Sequence, residues 1–209
     1  MTDYNKEIIS FLDKSPTAFH VIANIKARLE AEGYTELVES AKWELSEGGK
    51  YFVTRNDSSI IAFRVPRFNF TGFMISAAHS DSPAFKVKEN PEIVENGYVK
   101  LNVEGYGGML MAPWLDRPLS VAGRVIVKSG NPNVAIHMNR DANKSQTWNA
   151  QVDMLPVLGS ADEAKGSFMR IIAESAGVSE SDIISHDLFL YVRDNGKVWG
   201  GSEEYIIQN

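Results

Sequence analysis

The sequence contains no cysteine, which excludes disulfide bonds, thiolate metal ligands and a cysteine nucleophile. Long apolar runs are also absent, whereas a membrane-spanning helix needs about 20 consecutive apolar residues. The opening stretch MTDYNKEIISFLDKS is acidic and too often interrupted by polar residues for a signal peptide. The net charge of -6 does not provide the basic surface that nucleic acids require. We therefore expect a cytoplasmic protein that binds neither a membrane nor nucleic acid.

What the sequence does contain is an ordinary globular composition. Hydrophobic residues make up 44% of the chain and charged residues 23%. A length of 209 residues is enough for one large domain or two small ones. The G-x-S-x-G turn of many serine hydrolases does not occur, so a serine nucleophile is disfavoured. With cysteine and serine set aside, the four histidines are the side chains to inspect for chemistry.

The N-terminal part has the pattern of two helices followed by strands. Apolar residues on one side of EIISFL predict a short helix that DKSP ends. A second helix is expected with Ser15 as its N-cap, Pro16 as its first residue and Gly33 after its end. Strands are predicted over 51–55 and 60–65, joined by an Asn-Asp-Ser turn.

A third run, GFMISAAHS at residues 72–80, is more continuously apolar. This pattern is typical of a central strand that is covered on both faces. His79 would then lie at the carboxyl end of that strand, where ligands gather in open α/β sheets. We predict that residues 1–90 form the N-terminal part of an α/β domain.

After Pro91 the pattern changes to short strands separated by Asn-Gly, Gly-Gly and Ser-Gly turns. One helix is expected at about 161–176, followed by a strand in DLFLYV. The sequence therefore predicts a second, β-rich domain over residues 91–209. Its exposed apolar surface is expected to be an assembly interface.

The H-x-D triplet of His79 and Asp81 is the first candidate for chemistry. Imidazole can bind a metal through one ring nitrogen while a carboxylate fixes the ring through the other. In a strand, residues 79 and 81 point to the same side. The alternative is a turn that happens to contain a histidine, because such a triplet also arises by chance.

The remaining histidines are more ambiguous. His137 follows a Val-Ala-Ile run in NVAIHMNR, so it is either a structural residue of a strand or a ligand, and the nearby Arg140 could bind a carboxylate. His20 adjoins the apolar face of a helix, and His186 is expected to cap or turn the chain before a strand. The segment APWLDRPL is interpreted as a packed corner with a local Asp-Arg ion pair.

Four separated motifs carry a resemblance over nearly the whole chain. SPTAFH, AAHSDSPAFKVK, YGGMLMAPWLDRPLSVAGRV and AIHMNRDANK resemble, in this order, the M18 metallo-aminopeptidases of the aspartyl-aminopeptidase group. The resemblance implies a di-zinc exopeptidase acting on peptides. It also implies an α/β fold, in which this chain contains part of the α/β layer of a zinc exopeptidase followed by an inserted β-rich domain. In the family that the chain resembles, the inserted domain builds a dimer and then a dodecamer.

Site roles follow from the same resemblance. The histidine that matches His79 binds zinc, and the aspartate that matches Asp81 is the catalytic-site residue that orients it. The histidine that matches His137 is either a zinc ligand or a group that reaches the active site of a neighbouring subunit. By this resemblance, the homo-oligomer forms through the β-rich domain.

The resemblance also places further metal ligands beyond residue 209. These are a bridging aspartate in an RLD segment, a Glu-Glu pair that includes the general base, and a late histidine. The pair Glu203 and Glu204 precedes that region and is interpreted as the lead into a strand. Three hypotheses remain: an aminopeptidase, a non-catalytic oligomerising or regulatory module, or an incomplete product. We expect this chain alone to bind zinc weakly and to show no appreciable turnover.

Overall fold

The computed structural model describes residues 3–115, 117–128, 154–199 and 205–207. The chain divides into two compact units, one of residues 17–81 and one of residues 1–16 together with 82–209. The domain boundary near residue 90 stays a prediction. Within the part of the chain that is described, no helix is long and apolar enough to cross a membrane.

Helix α1 (Asp3–Asp13) is the short helix that the sequence predicts before DKSP. It belongs to the same compact unit as the residues after 82. The carboxylate of Asp13, at the end of α1, accepts a hydrogen bond of 2.9 Å from the main-chain N–H of Gly196. A contact between residues so far apart in sequence fixes the start of the chain to its own unit.

Helix α2 (Ala18–Ala31) opens the unit of residues 17–81. The prediction that Ser15 is its N-cap and Pro16 its first residue is wrong, because Thr17 is still extended and takes the N-cap position. Serine and threonine are both common N-cap residues, so the sequence pattern alone does not choose between them. Gly33, with φ of 78°, follows the end of the helix as predicted.

Three strands follow α2 and form one sheet: β1 (Thr35–Glu36), β2 (Lys50–Arg55) and β3 (Ser59–Arg64). Their order is β1-β2-β3, with β1 parallel to β2 and β2 antiparallel to β3. Asn56 and Asp57 turn the β2–β3 hairpin with φ of 53° and 52°, values that these two residue types tolerate well. The two strands predicted here are confirmed, and β3 is at an edge of the sheet.

The predicted third strand over 72–80 is not formed. Its residues are exposed except Ser80, and the exposed fractions of Met74 and Ile75 are 104% and 85%. A central strand needs a hydrogen-bonding neighbour on each edge, and no described strand pairs with this run. The apolar pattern shows that the segment is suited to burial, but a pattern cannot supply the neighbouring strands.

The second unit is built on five longer strands: β4 (Ala84–Glu95), β5 (Tyr98–Tyr106), β6 (Leu119–Val127), β7 (Val157–Ser160) and β8 (Ile183–Val192). They form an antiparallel sheet in the order β6-β8-β4-β5-β7. Strand β5 lies between the Asn-Gly and Gly-Gly pairs of the sequence and β6 lies before the Ser-Gly pair, where the sequence predicts short strands. The strand predicted around NVAIHMNR lies outside the described residues.

One face of this sheet carries the core of the unit. Apolar side chains alternate inward along the strands, and helical residues such as Phe168 and Ile172 pack with them in one cluster. The cluster includes Phe85, Val103 and Leu188, each at most 1% exposed. The short strands β9 (Lys197–Trp199) and β10 (Tyr205–Ile207) pair separately as an antiparallel hairpin.

The single helix predicted over 161–176 is two helices, α3 (Ala161–Ala164) and α4 (Phe168–Ala176). Gly166, with φ of 72°, separates them, because this backbone conformation does not continue an α-helix. The carboxylate of Glu92 accepts hydrogen bonds from the main-chain N–H groups of Gly166 at 2.6 Å and Phe168 at 2.7 Å. Strand β4 therefore supplies the acceptor for the free N–H groups at the start of α4.

Candidate functional site

His79 and Asp81 lie together in an exposed loop, here called the His79 loop (residues 79–81). The His79 side chain is 79% exposed. Its Nδ1 is 2.7 Å from the main-chain oxygen of Asp81 and 3.3 Å from Oδ1 of the same residue. The structure therefore brings the H-x-D pair together, although not at the end of a strand.

This geometry determines which ring nitrogen of His79 is available. A carbonyl oxygen can only accept a hydrogen bond, so Nδ1 carries the proton and donates it to Asp81. In the neutral ring, Nε2 then carries the lone pair. A histidine that binds a metal generally donates its other N–H in this way, which fixes the tautomer and the ring orientation.

Ser80 anchors the loop between the two site residues. Its hydroxyl donates a hydrogen bond of 2.9 Å to the main-chain oxygen of Ser58, next to the β2–β3 turn. The sequence analysis missed this role, because nothing in the order of residues links Ser80 to a turn 22 positions earlier. The hairpin thus holds the loop on which His79 is placed.

The described residues hold only part of a metal site. They contain no group of three or more histidine, aspartate, glutamate or cysteine side chains that could hold an ion. His79 has the donor chemistry for one position of a zinc site, whereas an open catalytic zinc needs three protein ligands. His137, Asp116 and the pair Glu203–Glu204 lie outside the described residues.

His186 is placed differently from the sequence interpretation. It lies within β8 rather than capping it, and it faces the core with 5% exposure. Burial lowers the pKa of His186, while Glu89 and Asp187 act in the opposite direction. Among the described residues neither ring nitrogen has a hydrogen-bond partner, so the neutral ring packs as a core side chain.

His20 is placed near the start of α2, where its Nδ1 lies 2.8 Å from the hydroxyl of Thr17. This contact fits a structural role at the helix start. Trp114 in APWLDRPL packs edge-on against Phe85, with ring centroids 5.2 Å apart, as a packed corner would. The Asp-Arg pair of that corner stays a prediction, because Asp116 is not among the described residues.

Comparisons with known proteins show which family the chain is similar to. The sequence model described as "Aminopeptidase I zinc metalloprotease (M18)" matches residues 11–209. The "Probable M18 family aminopeptidase 2" of Clostridium acetobutylicum is 44% identical, covering 98% of this chain and 53% of that protein. Its counterpart from Clostridium novyi is 42% identical, covering 97% of this chain and 52% of that protein. The chain spans about half the length of the curated relatives it matches.

Solved structures agree with the sequence matches. The structure of Chaetomium thermophilum mApe1 has a TM-score of 0.84 at 31% identity, covering 97% of this chain and 54% of that one. The S. cerevisiae mApe1 dodecamer has a TM-score of 0.71 at 25% identity, covering 98% of this chain and 51% of that one. The mixed α/β fold and the resemblance inferred from the four motifs are therefore confirmed. The chain belongs to the M18 family of zinc metalloprotease aminopeptidases.

Proposed function

We propose that this chain carries part of the metal site of an aminopeptidase that releases N-terminal residues from peptides. The observation that supports the proposal is the exposed His79 ring, which Asp81 holds through Nδ1. Zinc, when bound, supplies a Lewis acid that activates water for attack on the peptide bond. A cytoplasmic setting stays a prediction from the sequence.

Within this proposal His79 and Asp81 have different tasks. His79 offers the Nε2 lone pair to the metal, and Asp81 acts through His79 as a positioning residue. The main-chain oxygen of Asp81 accepts the Nδ1 proton, and its carboxylate adds a negative charge 3.3 Å from the same nitrogen. Both contacts favour the tautomer that binds a metal.

We further infer that His79 needs ligands from outside the described residues. One imidazole does not hold a zinc ion firmly, and two ions close together need a bridging carboxylate between them. His137 is proposed as a second zinc ligand or as a group that reaches the site of a neighbouring subunit. For this reason the 209-residue chain by itself is expected to bind zinc weakly and to lack appreciable turnover.

Self-association through the β-rich part is the proposed mode of assembly. The structural neighbour from S. cerevisiae is a dodecamer, which supports a homo-oligomer for this chain. A non-catalytic oligomerising or regulatory module is the second candidate function. It is favoured by the five-stranded sheet that forms among the residues that the structure describes.

The experiment measures zinc and turnover on the whole chain. The purified protein is dialysed against a small excess of zinc, its bound metal is counted, and hydrolysis of N-terminal aspartyl and glutamyl peptides is assayed. We expect less than one zinc per chain and no appreciable turnover. His79→Ala should remove the residual zinc, and Asp81→Asn should weaken its affinity by about 10-fold.

Ser76→Ala is the matched control, because Ser76 is an exposed residue three positions before His79. It should leave the bound zinc unchanged. If His79→Ala retains as much zinc as the unaltered chain, the proposed role of His79 is wrong. Stoichiometric zinc with turnover that His79→Ala abolishes would instead contradict the inference of an incomplete ligand set.

A further inference from the structure

The sequence contains two Asn-Gly pairs, Asn96–Gly97 and Asn195–Gly196, and both asparagines are exposed. In such a pair the main-chain nitrogen of the glycine can attack the side-chain amide carbon of the asparagine, because glycine has no Cβ to hinder the approach. The product is a deamidated side chain. The sequence makes the two pairs equivalent, whereas the structure places them in different environments.

The backbone of Asn96 keeps its side chain away from the next nitrogen. Asn96 turns the hairpin between β4 and β5 with φ of 51°, which is the left-handed region, where ψ is about +30 to +60°. At that ψ the Gly97 nitrogen lies on the opposite side of the Cα–C bond from Cβ and does not reach Cγ. The pairing of Glu95 with Tyr98 fixes the turn. Reaction at Asn96 therefore requires the hairpin to open.

Asn195 is held by a different contact. It lies in the exposed connection between β8 and β9, and its φ is not in the left-handed region. The main-chain N–H of Gly196, which would be the attacking group, donates a hydrogen bond of 2.9 Å to the carboxylate of Asp13. Both partners belong to the same compact unit. The nucleophile at this site is therefore engaged with an anion.

This hydrogen bond opposes the first step of deamidation. Hydroxide removes the proton of the Gly196 nitrogen, and the nitrogen then bonds to Cγ of Asn195 while the Cγ–Nδ2 bond breaks and ammonia leaves with a proton from water. Water hydrolyses the resulting cyclic imide to aspartate or isoaspartate. The carboxylate of Asp13 stabilises the protonated nitrogen, and a second negative charge beside it is disfavoured.

We propose that Asn195 is a site of spontaneous modification whose rate is set by the hydrogen bond between Asp13 and Gly196. Release of helix α1 exposes the nitrogen and allows the reaction. Asp13, Arg193, Asp194 and Asn195 line one cavity, so conversion leaves three carboxylates around it with one guanidinium. The added charge disfavours the return of Asp13. The modification is therefore a lasting record of the time for which α1 has been released.

The test incubates the whole chain in a mildly alkaline buffer and measures conversion at both asparagines by peptide mass spectrometry. In urea the two sites should convert at similar rates, because each has an acidic residue before it and glycine after it. In the folded chain both should be slower. Asp13→Ala should accelerate conversion of Asn195 by about 10-fold and leave Asn96 unchanged, since a hydrogen bond to a charged group is worth about that factor.

Two further variants separate the contact from the fold. Asp13→Asn keeps an acceptor oxygen without the charge, so conversion of Asn195 should have an intermediate rate. Glu7→Ala is the control, because it removes an exposed carboxylate from the same helix, and it should leave both rates unchanged. Asn96 is the internal reporter of folding, because unfolding of the chain accelerates both sites together.

Three results would overturn the proposal. One is that Asn195 converts in Asp13→Ala at the rate of the unaltered chain. Another is that Asp13→Ala accelerates Asn96 as much as Asn195, because Asp13 would then act through the fold and not through the Gly196 nitrogen. The third is that Glu7→Ala has the same effect as Asp13→Ala. None of these measurements involves zinc or turnover, so they do not bear on the proposed metal role of His79.

Discussion

Removing the carboxylate of Glu92 is expected to destabilise helix α4 and the sheet beneath it. Glu92 is on β4, and its two oxygens accept hydrogen bonds from Gly166 and Phe168 at 2.6 and 2.7 Å. These N–H groups are at the start of a helix and lack partners within it. Phe168 is fully buried in the core, so this contact also fixes a core side chain.

The size of the effect follows from the two hydrogen bonds. Loss of an N-terminal cap costs about 1 kcal/mol, and loss of a negative charge near the helix start costs a further 0.3–1 kcal/mol, roughly. We therefore expect Glu92→Ala to lower the free energy of unfolding by about 2 kcal/mol. Glu92→Gln keeps one acceptor oxygen without the charge, so about half of that loss is expected.

Urea unfolding followed by circular dichroism measures these differences. Glu104→Gln is the control, because Glu104 is an exposed residue of the neighbouring strand β5. It should change the free energy of unfolding by less than about 0.5 kcal/mol. If both Glu92 variants unfold at the same urea concentration as the control, the carboxylate does not stabilise α4 and the reasoning is refuted.

Two further predictions concern the same sheet. Burial lowers the pKa of His186, so the contribution of the neutral ring to the free energy of unfolding should be fully present above about pH 6.5 and be lost progressively as the pH falls. Urea titrations at a series of pH values should show a smaller loss of that free energy in His186→Leu than in the unaltered chain. Equal losses in the two proteins would contradict this. A Cβ at Gly123 would lie 1.9 Å from the main-chain oxygen of Asp187, so Gly123→Ala should separate β6 from β8 and lower the melting temperature sharply. Gly105→Ala, where a Cβ has nothing within 4 Å, should have a much smaller effect, and similar melting temperatures for the two variants would refute the argument.

The sequence predicted elements whose signals are local. The β2–β3 hairpin is an example, because Asn56 and Asp57 favour the turn and the strands on each side have the residues that pair. The proximity of His79 and Asp81 was equally predictable, since a spacing of two residues keeps them within reach in most backbone conformations. Family membership also followed from short motifs whose order is specific.

The sequence did not predict features that depend on distant partners. Whether residues 72–80 form a strand depends on neighbouring strands, and the apolar pattern of the segment contains no information about where those come from. The division of the predicted C-terminal helix depends on Gly166 and on the carboxylate of Glu92, which is 74 residues away from Gly166 in sequence. Burial of His186 was missed because its position in β8 became apparent only from the pairing with β6.

The hydrogen bond between Asp13 and Gly196 has a consequence for the order of events during biosynthesis. Helix α1 is synthesised well before its partner, which is 183 residues further along the chain. A helix of 11 residues is only marginally stable alone in water. Residues 17–81 form a separate compact unit and can therefore fold while the later strands are still being made. Helix α1 is thus synthesised early but reaches its partner only after most of the later strands have been made.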